Sequence, residues 1–181
     1  MRGTVGSENP WIESLGGLYI CLPEDVRHAW RGGVEDEDEE DSEESTDYWQ
    51  AGLGGGLAST FPVSGSQALV LAAGKGPLTY VPHLDLFVQR MAKTSAADVV
   101  GAVARALPAV RWETAVEWNA GNGLVVFDAV WAGEEVPADR LLRVDRPAGL
   151  TRVDVAQLTP TDEHDVWVTL YRLEAVPDRL G

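Results

Sequence analysis

The sequence has only one cysteine, no long apolar run and no apolar segment near its start, and each of these shortages excludes a class of protein. It contains one cysteine, Cys21, among 181 residues, which excludes an internal disulfide framework and any multi-cysteine zinc site. No apolar run approaches the roughly 20 residues that a membrane-spanning helix needs. The opening residues 1–10 lack the apolar core of a secretory signal. One thiol without an export signal predicts a protein of the reducing cytoplasm.

Basic residues are also scarce. The chain has 14 Lys and Arg against 29 Asp and Glu, a formal charge of -15 at pH 7. Nucleic acids and anionic membrane surfaces are therefore electrostatically disfavoured as partners. Apolar residues make up 45% of the chain and charged residues 24%, which is typical of globular proteins. We therefore expect a folded core.

The acidic residues are concentrated in one segment. Residues 35–44 hold nine acids in ten positions, and Asp47 adds another. Such a run repels itself and has almost no apolar group to bury. We expect a single domain over residues 1–181, with residues 34–47 as an acidic, disordered insert. The insert is either a solvated loop, a mimic of nucleic acid, or an element that steers a basic partner.

Apolar runs bounded by Gly and Pro predict seven or eight short strands. These runs are residues 18–22, 68–72, 78–81, 84–91, 112–118, 124–131, 150–159 and 166–173. One helix is predicted to start at Pro23 and end before Gly32, and a second to cover residues 95–107. Without βαβ alternation, the predicted class is α+β: a mainly antiparallel β-sheet of about seven strands with two helices.

Two hairpins are predicted within this sheet. The first joins strands 112–118 and 124–131 through the glycine turn at 121–123. Its first strand is expected to bury one face, because large side chains alternate with Glu and Ala along it. That face carries Trp112, Thr114, Val116 and Trp118. The second hairpin joins the last two strands.

Candidate catalytic residues are few. A small cytoplasmic hydrolase could use His83, Asp85 or His164, but the alternation around His83 and Asp85 favours a solvent-facing pair over an acid–base dyad. Cys21 and His28 could form a thiol–imidazole pair, or Cys21 could be a small buried hydrophobe. No histidine has a second ligand at the spacing of a known metal motif, and no phosphate or dinucleotide motif is present. The sequence therefore predicts no metal, no cofactor and no enzyme.

Tyr48 and Trp49 lie between the acidic segment and a glycine-rich segment, residues 52–56. Exposed aromatic residues beside concentrated charge are typical of interface anchors. The alternative is that both side chains belong to the core.

The segment 11–17 resembles the W-x-E-S-x-G-G opening of the immunity protein 21 family of bacterial polymorphic-toxin systems, and an apolar strand and Leu22-Pro23-Glu24 follow it. Further similar segments are residues 30–32, 47–48, 61–71, 111–113, 124–129 and 166–173. The likeness runs from Trp11 to about Leu173, and departs from the family pattern at residues 35–44 and 52–56. It implies a cytoplasmic protein that binds and neutralises a cognate toxin domain.

A stoichiometric inhibitor needs a docking face rather than catalytic groups, which suits this sequence. A nuclease is one natural basic partner, because it must hold phosphates. Tyr48 and Trp49 are the predicted anchors. The residues predicted to steer the partner are Asp36, Asp38, Glu40 and Asp41.

Overall fold

The computed structural model describes residues 10–33, 46–91, 98–161 and 165–177. Within these ranges the chain forms ten β-strands and two α-helices. The helices are α1 (Asp47–Gly52) and α2 (Val99–Ala106). The strands are β1 (Tyr19–Pro23), β2 (Ala58–Val63), β3 (Ser66–Leu71), β4 (Leu78–Val81), β5 (Leu86–Arg90), β6 (Glu113–Ala120), β7 (Leu124–Asp128), β8 (Leu142–Val144), β9 (Gly149–Leu158) and β10 (Val168–Ala175).

The strands form two five-stranded sheets whose pairs are all antiparallel. The first sheet has the order β2-β3-β1-β7-β8, and the second has the order β4-β5-β10-β9-β6. The predicted α+β class with mostly antiparallel sheet is confirmed, but the strands divide between two sheets. The prediction lacked β2 and β8. Pro62 interrupts the strand pattern of β2, and β8 has only three residues.

The main core lies between the two sheets. Tyr19 and Cys21 of the first sheet pack there with Phe87, Trp118 and Tyr171 of the second, and all five are fully buried. The buried Trp118 Nε1 donates to the Gln67 carbonyl at 2.9 Å, so this edge of the second sheet is tied to the first.

The outer face of each sheet is also covered. On the first sheet, Ile20 and Phe127 pack under Trp30 and under Ala51 of α1. On the second sheet, α2 contributes Val99 and Val103, which contact the outward side chains of the central strands. The two outer covers make the molecule four layers deep.

The prediction of a hairpin around residues 121–123 is wrong. β6 pairs with β9 in the second sheet, and β7 pairs with β1 and β8 in the first, so the turn carries the chain from one sheet to the other. The predicted single buried face of β6 is also interrupted. A bulge between Thr114 and Val116 shifts the register, so Trp112 packs in the outer cluster while Trp118 packs between the sheets. The last predicted hairpin is confirmed as β9–β10.

Both predicted helical segments contain helix within the described residues. The first is a 3-10 helix, Glu24–Ala29, after which the backbone extends to bury Trp30. The second is α2, and residues 95–97 of the predicted range lie outside the described residues. Of the predicted insert 34–47, Thr46 and Asp47 are described, and both belong to the start of α1. None of the described helices is long and apolar enough to cross a membrane.

Candidate partner-binding surface

The segment at residues 13–17 is anchored on a buried carboxylate. Asp128, at the end of β7, is 2% exposed. Its Oδ2 accepts hydrogen bonds from the backbone N–H groups of Leu15 and of Gly16, and its Oδ1 accepts one from Val130 N–H at 2.9 Å. Hydrogen bonds to a charged acceptor are stronger than neutral ones, so this loop is firmly placed against the first sheet.

Gly16 is required by close packing. A Cβ at this position would lie 2.6 Å from Tyr48 Oη and closer still to Val130 Cγ2. The Tyr48 hydroxyl donates to the Gly16 carbonyl at 2.6 Å. Burial raises the pKa of Tyr48, and the nearby charge of Asp128 raises it further, so the phenol remains a protonated donor.

Helix α1 presents the two predicted anchors in different ways. The Thr46 side chain caps the helix by accepting from Trp49 N–H at 3.2 Å. Tyr48 points inward and packs on the cluster that covers the first sheet. Trp49 remains 42% exposed. Tyr48 therefore supports the surface from below, and Trp49 belongs to the surface itself.

A surface pocket of about 480 Å³ lies between α1 and two glycine-containing loops. We call it the Trp49 pocket. Its lining is mostly apolar, and Lys75 is its one charged residue. It is lined by Gly16, Gly17, Leu18, Tyr48, Trp49, Gly52, Leu53, Gly74 and Lys75.

Exposed apolar side chains line the Trp49 pocket or are next in sequence to a residue that lines it. Leu53 is 64% exposed and Leu15, next to Gly16, is 51% exposed. Together with Trp49 they are three of the five large exposed hydrophobic residues in the described part of the chain. A gathering of this kind is typical of a docking surface. Sequence reasoning missed Leu15 and Leu53, although the four-residue spacing of Trp49 and Leu53 was an available helical signal.

The described residues on either side of the acidic segment lie together beside this surface. Tyr48 N–H donates to the Gly32 carbonyl at 3.1 Å, and Arg31 N–H donates to Asp47 Oδ2 at 2.8 Å. The chain therefore leaves and re-enters the described structure at the start of α1. The four predicted steering residues, Asp36, Asp38, Glu40 and Asp41, lie outside the described residues.

The residues of the alternative hydrolase hypothesis are not brought together as a catalytic site in the described part of the chain. Asp85 accepts from the Tyr80 hydroxyl at 2.6 Å and pairs with Arg146 at 3.4 Å. His83 lies exposed in the 3-10 turn Pro82–Leu84, and within the described residues no hydrogen bond joins it to Asp85. His164 lies outside the described residues.

Of the two alternatives for Cys21, the structure shows the buried residue and not the thiol–imidazole pair. Cys21 is buried between the sheets, whereas His28 belongs to the 3-10 helix on the outer side of the first sheet. Burial raises the pKa of the Cys21 thiol, which opposes a nucleophilic thiolate. In the ranges that the structure describes, no three His, Cys, Asp or Glu side chains gather as a metal site requires.

Fold and surface together define a small, mainly antiparallel α+β protein with an apolar pocket on one outer face. The family model of immunity protein 21 matches residues 10–164. The chain therefore belongs to this family, whose name marks an immunity protein with a cognate toxin as its partner. Neither the curated proteins searched nor the solved structures gave a match.

Proposed function

We propose that this immunity protein neutralises its toxin in the cytoplasm by stoichiometric binding, without catalysis. The observation that carries the proposal is the Trp49 pocket, which is lined by the exposed Trp49 and Leu53, with the exposed Leu15 next in sequence to the lining residue Gly16. Leaving three large apolar side chains in water is unfavourable, and a partner that covers them gains free energy of binding.

The pocket suits an anchor side chain of the toxin. A stable interface buries about 800 Å² on each partner, and a few central aromatic or aliphatic residues carry most of its energy. Trp49 is the proposed central contact residue of the immunity protein, because it lines the pocket and is partly exposed. Tyr48 and the loop bound to Asp128 hold the pocket walls in place. A preformed wall reduces the entropy lost on binding.

The negative charge of the acidic segment supports a toxin with a basic surface, and a nuclease is one candidate. The described residues on either side of the acidic segment are hydrogen-bonded to one another at the start of α1, which supports a role for this segment close to the Trp49 pocket. Asp36, Asp38, Glu40 and Asp41 would accelerate the approach of a basic surface. The effect falls with salt, because the screening length is about 8 Å at physiological ionic strength.

Stoichiometric inhibition is tested by titration. Tagged protein is used to capture its toxin from the source cells, at about 0.1 M and about 0.5 M salt. The activity of the captured toxin domain is then titrated with the purified immunity protein. We expect inhibition to be complete at one molar equivalent. Inactivation of many equivalents of toxin by one immunity protein would identify an enzyme and refute the proposal.

The steering role is tested separately by neutralising the acidic segment. Replacing the acids of residues 35–44 by Asn and Gln should slow association with the captured toxin and flatten its salt dependence. The dissociation rate should change little, because the apolar contacts remain. Association that is equally fast at both salt concentrations in the unmodified protein would contradict steering.

A further inference from the structure

The two sheets end in four edge strands, and three of them are protected. An edge strand exposes unpaired backbone groups that can bind another strand, so proteins usually shorten or cover it. β2 contains Pro62, β8 has three residues, and β4 has four residues with Ile12 hydrogen-bonded to Leu78 along its free side. β6 is the longest edge, with eight residues.

The free side of β6 is closed at one end only. Near its C-terminal end, Asn119 N–H donates to the Gln67 side chain at 3.0 Å, and Trp118 Nε1 donates to the Gln67 carbonyl. Asn119 N–H therefore points away from β9. Since backbone direction alternates along a strand, Glu117 N–H points to the same free side.

At its other end β6 borders a groove of about 600 Å³. The opposite wall is formed by residues 54–60, which include the first three residues of β2. The bulge in β6 between Thr114 and Val116 lies along this groove, where a bulge re-aims or bends an edge strand. Leu57, Val116 and Val155 line the groove with apolar side chains.

The charges on this edge are negative. Glu113 lines the groove, Glu117 follows four residues later, and both are exposed. The nearest cross-strand base, Arg152, is already paired with Asp154 and Glu174. The bulge places Glu113 and Glu117 on opposite faces of the sheet. Two copies of β6 paired edge to edge would bring four glutamates to one interface, which is unfavourable. A strand that carries Lys or Arg is the complementary occupant.

We propose that an extended, basic segment of the toxin adds to the free edge of β6 as a new strand and fills this groove. The backbone of β6 would supply the hydrogen bonds, and Glu113 and Glu117 would select basic side chains. The groove adjoins the Trp49 pocket, because Gly52 and Leu53 line the pocket and residues 54–56 line the groove. The inference rests on the proposed function for the toxin as source of the strand.

A synthetic peptide tests the site without the toxin. The probe is Thr-Lys-Val-Val-Lys-Val-Thr, whose two Lys are three positions apart, as are the partners of Glu113 and Glu117 in β9. Its control carries N-methyl groups on two adjacent central residues. The methyl groups block strand pairing on both sides and leave the charge unchanged. We expect the control to bind the full-length protein at least about tenfold more weakly, since backbone pairing supplies much of the affinity. The unmodified peptide should slow hydrogen exchange across β6.

Two charge-reversal variants separate pairing from general attraction. Glu113→Lys should weaken peptide binding about tenfold, because it replaces a favourable cross-strand pair by a repulsive one. Asp139→Lys makes the same charge change at an exposed residue before β8, at the far edge of the first sheet, and should weaken binding much less. Equal losses in both variants, or equal binding of the methylated peptide, would overturn the proposal.

Glu117→Pro removes the outward N–H and keeps the pairing with β9, since Pro is tolerated on edge strands. Its thermal unfolding is measured first, and Glu117→Gln serves if the proline variant does not fold. With the captured toxin, full inhibition by Glu113→Lys and Glu117→Pro at unchanged affinity would overturn the strand site while leaving the proposed function intact. Peptide binding at β6 without any toxin inhibition would refute the proposed function and leave the strand site standing.

Discussion

Replacing Trp49 by Ala should weaken toxin binding strongly and stability only modestly. Trp49 is 42% exposed, so part of its surface is still available to a partner. A tryptophan buries up to about 250 Å², which leaves about 100 Å² to be covered on binding. At about 25 cal/mol per Å² this area is worth ~2.5 kcal/mol. The expected loss of affinity is therefore about 70-fold.

The chain offers a matched control in Trp167. It is 44% exposed and precedes β10 in the second sheet, away from the lining of the Trp49 pocket. Trp167→Ala removes a side chain of the same type and nearly the same exposure. We expect both variants to lose similar free energy of unfolding in urea, with a large affinity loss in Trp49→Ala alone.

The assay is calorimetric titration of the captured toxin domain at about 0.1 M and about 0.5 M salt. Because burial of apolar surface is not screened, the ratio of affinities between wild type and Trp49→Ala should be the same at both salt concentrations. Equal affinity losses in the two tryptophan variants would refute the assignment of the Trp49 pocket. A ratio that disappears at high salt would show that charge, and not burial, dominates.

Three further predictions concern the scaffold. Asp128→Asn turns an amide donor toward the N–H groups of Leu15, Gly16 or Val130, and should cost about 3 kcal/mol of unfolding free energy. Asp154 is buried, which raises its pKa, but hydrogen bonds from Arg172, Thr114 and Arg152 outweigh burial and lower the pKa. The stabilisation that ionised Asp154 gives the folded protein should thus be complete above the unfolded pKa of about 3.9. It should be lost as pH falls through the lower pKa of the folded state. Cys21 should resist alkylation until the protein opens.

Each of these predictions has a direct check. Urea unfolding of Asp128→Asn should be accompanied by faster hydrogen exchange at residues 13–17, and unchanged exchange there would contradict the anchoring role. The stability difference between wild type and Asp154→Asn should shrink on acidification. A difference that is constant from neutral to acid pH would refute a lowered pKa of Asp154 in the folded protein. Alkylation of Cys21 in the native protein at the rate of a free thiol in solution would contradict the burial of its side chain.

Much of the local structure could be predicted because it depends on neighbouring residues. The terminal β9–β10 hairpin was predicted from two apolar runs and a polar turn, and the structure pairs them. The turn at residues 121–123 has similar signals, yet β7 pairs with β1, about 100 positions earlier. A turn motif reports that the chain reverses, and long-range packing decides which strand becomes the neighbour.

Trp112 illustrates a second limit. Alternation predicted that it shares a face with Trp118, but the bulge in β6 places the two side chains on opposite faces of the sheet. A single extra residue inverts the alternation that follows it. Such a residue has no signature in a hydrophobic pattern alone.

For the binding surface, the sequence alone determined the acidic segment, the neighbouring Tyr48-Trp49 pair and the family resemblance, since composition and local order carry these. Tertiary structure decided that Tyr48 supports the surface while Trp49 is exposed on it. It also brought Leu18 and Lys75 to the same pocket as α1. The physical reason is that a pocket forms from segments distant in sequence. Their meeting depends on which strands pair and on the buried carboxylate of Asp128, and no local pattern encodes either.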